Sequence, residues 1–231
     1  NQEKPLDFST TVPALDAFFL MDTTGSMGEE IANLQNALIS TIIPGVQALA
    51  DSQFGAGVFE DYPISPYGDN PCFLSGTPDQ PFELMQTITN NAAAVTTAVG
   101  NMDNGSGSPI GCGNDGPESM IEAWYQASTG VGLVGPAPTS VPANSTGVGG
   151  VGFRQGTMPV ILTISDWMSH APGETGSCTA FGTSADYAAP VGTVAATRQQ
   201  AKDALNGICA KVVGIASDNG FEVACTARND M

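Results

Sequence analysis

An apolar run from Ala14 to Met21 ends abruptly in Asp22, and hydroxyls follow at Thr24 and Ser26. A spacing of two in an extended turn puts these side chains on one side, so three hard oxygens can converge. That is the donor set a hard divalent cation such as Mg²⁺, Mn²⁺ or Ca²⁺ takes. The same residues also suit a plain strand exit with a helix N-cap, where Ser and Thr accept from free amide N–H groups. Three more segments carry oxygen ligands: Glu60 with Asp61, the stretch Asn114, Asp115, Gly116, Pro117, Glu118, and Ser165 with Asp166. Carboxylates crowded together repel one another, and a cation relieves that repulsion.

The elements that must position these groups follow from periodicity. Ala14–Asp22, Phe54–Phe59, Pro159–Ile164 and Lys211–Ile215 read as buried strands, and Phe82–Ile88 as a short one. Ile31, Leu34, Leu38 and Ile42 form a helical stripe over Glu29–Ile43, which Pro44-Gly45 breaks or kinks. Asn91–Met102, Glu118–Ala127 (with Met120, Ile121 and Trp124 inward) and Val191–Cys209 read as further helices. The alternation predicts an α/β fold: a mostly parallel central sheet with helices on both faces. In such a sheet every strand-to-helix turn lies on one edge, so the four acidic segments can meet. The long segments 61–81 and 130–157 exceed ordinary connections and read as functional surfaces or disordered stretches.

The chain has 231 residues, with 23 acids against 6 bases and a formal net charge of −17. This excludes nucleic acid as a partner, because phosphates need Lys and Arg clusters. It disfavours an anionic membrane surface and favours cations, although a low pI also simply keeps an exported protein soluble. No apolar run approaches a membrane span, so no direct membrane insertion is expected. One domain is expected, with its core over about residues 14–216, and Asn1 reads as a mature or excised start. The five cysteines have no Cys-x-x-Cys spacing, which argues for disulfides in an oxidising compartment rather than zinc. Cys72–Cys112 and Cys209–Cys225 are the preferred pairs, leaving Cys178 free or paired outside the segment. A hydrolase is disfavoured: there is no Gly-x-Ser-x-Gly elbow, and His170 is the only histidine. His170 reads as a partly exposed loop residue. Trp167 either shapes or covers the acidic site, and Arg154 either pairs with a nearby carboxylate or sits in solvent.

Asp22-Thr23-Thr24-Gly25-Ser26-Met27 resembles the metal-ion-dependent adhesion site motif of von Willebrand factor A domains. The likeness continues through Gly113–Glu118 and Val160–Asp166 and spans about Ala14 to Ile215. It is most similar to integrin β I-like domains and to bacterial surface adhesins that carry this domain. The resemblance implies a Rossmann-like fold and a non-enzymatic, extracellular or cell-surface protein. Asp22, Thr24, Ser26 and Glu118 would line a central divalent cation (Mg²⁺, Ca²⁺ or Mn²⁺), with Asp166 in its outer shell. Ser26, Glu29 and Glu30 match an adjacent metal site, where the family usually carries paired aspartates. Asp61, Asn114, Asp115, the carbonyl of Pro117 and Glu118 match a third. The expected partner is a protein ligand presenting an Asp or Glu carboxylate, or an extracellular matrix or surface component. The alternative is a structural subunit of an extracellular filament, pilus tip or surface layer with a stabilising metal. The family domain continues beyond the strand at Lys211–Ile215 with a helix, a strand and a final helix. Residues 217–231 are too few for these, so the domain is expected to be C-terminally truncated and part of a longer chain, or completed some other way.

Overall fold

A computed structural model describes residues 14–178, 183–217 and 225–231. Its strands are β1 (Ala14–Asp22), β2 (Asp51–Phe59), β3 (Glu83–Thr89), β4 (Leu133–Val134), β5 (Ser140–Val141), β6 (Met158–Ser165), β7 (Ser177–Cys178), β8 (Thr183–Ser184) and β9 (Lys211–Ala216). Its α-helices are α1 (Gly28–Ala37), α2 (Ile43–Gln47), α3 (Ala92–Gly100), α4 (Met120–Thr129) and α5 (Arg198–Gly207). The main sheet has the order β3-β2-β1-β6-β9. β2, β1, β6 and β9 run parallel, and β3 is an antiparallel edge. This is the mixed α/β architecture the alternation predicts, and its order is Rossmann-like.

β1 is central and buried on both faces, which explains its unbroken apolar run. Its side chains alternate between two cores. Phe19 and Met21 pack with Ile31 and Leu34 of α1 and with Val95 and Val99 of α3. Phe18 and Leu20 pack with Met120, Ile121 and Trp124 of α4 and with Ala201 of α5. Gly57 leaves room for one of these rings: a Cβ there would meet Phe18 Cζ at 2.7 Å. Trp124, buried as its helical position suggests, also donates from Nε1 to Thr163 Oγ1 at 2.8 Å.

Several boundaries differ from the sequence reading for local reasons. The helix expected to run to Ile43 changes to a π-helical turn at Leu38–Ile42, and α2 then carries Pro44 in its first turn. Proline lacks an N–H and is tolerated there, so it restarts the helix instead of ending it. α3 starts one residue later than expected, at Ala92, because Asn91 caps it: its side chain accepts from Ala94 N at 3.2 Å. α5 starts only at Arg198, behind a capping box between Thr197 and Gln200, so the stretch from Val191 is mostly not α-helix. The loop at 130–157 contains the β4–β5 ribbon, and its Val151 carbonyl accepts from Ile88 N at 2.9 Å, covering part of the β3 edge.

Cys72 and Cys112 form the expected disulfide. The pairing of Cys209 with Cys225 is overturned: Cys209 is a free, exposed thiol and Cys225 is in a disulfide with another cysteine. The reason is topological. Cys209 follows α5 at the start of β9, whereas the Cys225 carbonyl accepts from Met168 N beyond the far end of β6. The length of a parallel strand lies between them.

Arg154 settles at the amino-terminal edge of the sheet, away from the acidic segments. Its backbone N donates to Asp16 Oδ2 at 2.7 Å and its Nε to Asp16 Oδ1 at 2.8 Å. Its Nη1 reaches Asp51 Oδ2 at 2.9 Å. Asp16 is fully buried, so removing its partner strands a charge. Arg154→Ala should therefore destabilise the fold by about 2–4 kcal/mol, the lower side of the range for buried pairs because the guanidinium is 27% exposed. Urea unfolding checks this, and divalent-cation affinity should not change because the pair sits at the opposite edge.

Candidate metal centre

Strand register brings the acidic segments together. Asp22 pairs across from Phe59, one residue before Glu60, and Met21 pairs across from Ile164, one residue before Ser165. The ends of β1, β2 and β6 are therefore level at the carboxyl edge of the sheet. Asp22 is completely buried there. Its Oδ1 accepts from Thr24 N at 3.0 Å and Thr24 Oγ1 at 2.7 Å, and its Oδ2 accepts from Ser165 Oγ at 2.7 Å. Three donors thus fix the carboxylate in one orientation.

Glu118 enters the same space from the start of α4. Its backbone N donates to Met168 O at 3.0 Å, and its carbonyl accepts from His170 N at 2.8 Å, stitching it to the loop after β6. Its side chain is 2% exposed, and Oε2 is buried with no hydrogen-bond partner. Gly113 marks how closely the loops meet. Its φ is +63°, and a Cβ there would lie 2.7 Å from Glu118 Oε1 and 3.2 Å from Thr24 Cγ2. Glycine is required on both counts. Asp166, also buried, accepts from Ser26. Trp167 is buried against Gly116, where a Cβ would meet its ring at 2.6 Å, so it braces the Asn114–Glu118 turn.

The electrostatics are those of an uncompensated acidic cluster. Burial pushes the Asp22 carboxyl up to about 6, opposed by its Thr24 and Ser165 hydrogen bonds. Burial and then the Asp22 charge push Asp166 up to about 7. Glu118 is held well above the usual carboxylate range, first by burial and then by Asp22, Asp61, Asp115 and Asp166. The first two of those four flank Glu118 from the ends of β1 and β2, so one side chain feels both halves of the cluster.

The residues matched to an adjacent site lie at the outer rim. Ser26 and Glu29 are exposed, and Glu30 accepts a hydrogen bond from Ser217. Those matched to a third site are only partly gathered. Asp61 is fully buried at the end of β2, and Asp115 approaches it, with a carboxylate oxygen of each within 4.8 Å of the other. Asn114 is exposed, with its backbone N donating to Tyr67 O at 3.0 Å, and Pro117 is buried beside Glu118. His170 differs from its expected exposure. It is fully buried, with Nε2 at 3.2 Å from both Asp115 carboxylate oxygens and 3.7 Å from Asp61 Oδ2. Burial lowers its pKa, but Asp115 and Asp61 outweigh that and the net shift is upward.

Glu60, grouped in sequence with the oxygen ligands, serves the scaffold. It accepts from Thr23 Oγ1 and, at 2.9 Å, from Gln80 N, and burial pushes it up to about 8. Asp79 escaped the sequence reading. Its carboxylate accepts from Cys112 N at 3.0 Å, Gly113 N at 3.1 Å and Asp69 N at 2.8 Å. With the Cys72–Cys112 disulfide it ties the loop at 61–81 to the loop that carries Glu118. Nothing in its spacing separates it from other loop aspartates. Tyr187 likewise gave no signal, yet its hydroxyl donates to Asp61 Oδ1.

The residues at Asp22 and Glu118 fit a hard cation: an orphaned Glu118 oxygen, facing carboxylates, and neutral hydroxyls on one short turn. The fold and site define an open α/β protein with a carboxylate cluster at the carboxyl edge of its parallel sheet. No family model and no curated protein matches the chain. Among solved structures it is similar to the pilus adhesin SpaC from Lactobacillus rhamnosus GG. The open conformation of SpaC aligns with a TM-score of 0.46 and 15% identity over 96% of this chain and 26% of that one. A second form of SpaC aligns with a TM-score of 0.45 and 15% identity over 96% and 27%. The chain spans about a quarter of that adhesin's length, and a likeness this distant says nothing about binding or activity.

The raised carboxyls set a pH dependence. A carboxyl whose folded pKa exceeds its unfolded value stabilises the fold fully below the unfolded pKa and loses that contribution as pH rises through the folded one. The ordinary value for Asp is 3.8, against about 6 for Asp22, about 7 for Asp166 and about 8 for Asp61. In EDTA the thermal midpoint should therefore fall as pH is raised from about 4 to about 8, and millimolar Mg²⁺ or Ca²⁺ should restore it at the upper end. Calorimetry across that range decides. A midpoint at pH 8 indifferent to cations contradicts the cluster's role.

Proposed function

We propose that this chain is a von Willebrand factor A-type domain that binds partners through a divalent cation held at the carboxyl edge of its sheet. The observation that carries the reading is Glu118: a buried carboxylate with an unpartnered oxygen, facing Asp22 and Asp166. Burying such a group is costly unless something positive meets it. Asp22, Thr24, Ser26 and Glu118 would hold the ion, with Asp166 behind Ser26. When bound, a Mg²⁺, Mn²⁺ or Ca²⁺ supplies positive charge and an exchangeable coordination position suited to a partner's Asp or Glu carboxylate.

The chain's own residues do the rest. Thr24 and Ser165 hold Asp22 in one rotamer, so little ordering is left to pay for when a ligand arrives. Two hydroxyls in place of further carboxylates limit the negative charge around the ion, which leaves it a better acceptor for an anionic guest. The segment 61–81, pinned by Asp79 and the disulfide, stands beside the rim, and its Phe73 is 83% exposed. A firm, partly apolar loop of this kind suits partner selection. The disulfide and the strongly acidic composition support an extracellular or cell-surface location. The one histidine faces Asp115 and Asp61 rather than a serine, which supports binding over hydrolysis.

Mg²⁺ or Mn²⁺ titrated calorimetrically into the stripped protein should bind, and Asp22→Ala should lose that binding by at least about a hundredfold. Water-proton relaxation of the Mn²⁺ form should then fall when a short aspartate-containing peptide is added, as the ion's exchangeable water is displaced. An Mn²⁺ form that relaxes water no better than the stripped protein points instead to a saturated, purely structural ion. Adhesion to a surface partner that persists undiminished in excess EDTA would falsify the proposal.

A further inference from the structure

Asp61, Asp115 and His170 come from three separate loops: the exit of β2, the turn before α4 and the loop after β6. We propose that they form a second, chemically distinct metal site, which takes a borderline divalent transition ion such as Zn²⁺ through one imidazole nitrogen and two carboxylates. One ligand atom from each residue lies within 4.8 Å of the other two. Two ligands each about 2.0–2.1 Å from one tetrahedral Zn²⁺ are separated by roughly 3.3 Å. His170 Nε2 stands 3.2 Å from Asp115 Oδ2 and 3.7 Å from Asp61 Oδ2. The second distance is too long for a hydrogen bond but close to the span across a shared ion.

An independent observation points the same way. Asp61 is fully buried, yet only one of its oxygens is satisfied. Oδ1 accepts from Tyr62 N at 2.5 Å and from the Tyr187 hydroxyl, while Oδ2 has no hydrogen-bond partner and faces the imidazole. Outer-shell donors that fix one carboxylate oxygen and leave the other aimed at a common point are the usual surroundings of a metal ligand. The imidazole is fixed as well: Tyr187 stacks on it at 4.6 Å, and Tyr67 meets it edge-on at 5.0 Å.

A nitrogen donor separates this site from the all-oxygen cluster at Asp22. Imidazole suits Zn²⁺ and its neighbours, whereas Mg²⁺ and Ca²⁺ take oxygens. It also departs from the all-oxygen third site that the resemblance implies, since Asn114 is exposed. An ion here would cross-link three loops directly behind Glu118. The inference does not depend on adhesion or on occupancy at Asp22.

The test uses the untagged full chain, stripped of metal. His170 is the only histidine, so any imidazole signal is assigned without ambiguity. Pulsed EPR of the protein with Cys209 alkylated, loaded with one equivalent of Cu²⁺ as an imidazole-preferring ion in excess Mg²⁺, should show imidazole ¹⁴N coupling in the native chain and in Asp22→Asn, and none in His170→Gln. Competition titration should show Zn²⁺ bound more than about a hundredfold more weakly by His170→Gln, since loss of a ligand exceeds the roughly 10–100-fold cost of losing an outer-shell partner. A native spectrum without nitrogen coupling, or unchanged Zn²⁺ affinity in His170→Gln, overturns the proposal; a protonated imidazole then fills the pocket. Should His170→Gln fail to fold, the native spectrum alone decides.

Discussion

The structure turns on how Asp22 is held. It ends the central strand, is fully buried, and has both oxygens fixed by Thr24 and Ser165. That arrangement exists because β1 and β6 are parallel and in register, so one strand's last residue meets the hydroxyl at the end of its neighbour. The same parallel order places Glu60–Asp61 and Asp166 on the same rim. A sheet that gathers its strand ends gathers whatever charges they carry, and here all of them are acids.

Among the described residues, compensation does not come from the bases. Among the described residues, the arginine ion pairs join Arg154 to Asp16 and Asp51, and Arg198 to Glu174 and Asp230. None of these reaches Asp22 or Glu118. The Arg154 pair ties the strand starts together at the opposite edge of the sheet. The rim is thus built by the fold and left negative by the sequence, a combination that protonation or a cation must relieve. Among the described residues only His170 offers the rim a positive group from within, and it faces Asp61 and Asp115.

Much of this was legible in the sequence because burial and register leave strong signatures. The unbroken apolar run of β1 announced a two-sided central strand, and the acids at the strand ends announced the rim. What stayed hidden depended on tertiary neighbours. His170 looked like a loop histidine because nothing local shows that Tyr67 and Tyr187 enclose it. Asp79 and Tyr187 act at a distance, across loops without periodicity. The mistaken pairing of Cys209 with Cys225 came from sequence proximity, which carries no information once a whole strand lies between the two. Pro44 read as a break or kink without saying which, because the π-helical turn that precedes it leaves no mark in composition.

The account stands or falls on whether the buried acids at the rim share a metal ion. The most direct measurement is anomalous diffraction from crystals grown with saturating Mn²⁺. The account predicts a peak within coordination distance of Thr24, Ser26 and at least one carboxylate oxygen of Asp22 or Glu118. No peak between Asp22 and Glu118, with Glu118 instead hydrogen-bonded as a neutral acid, would contradict it.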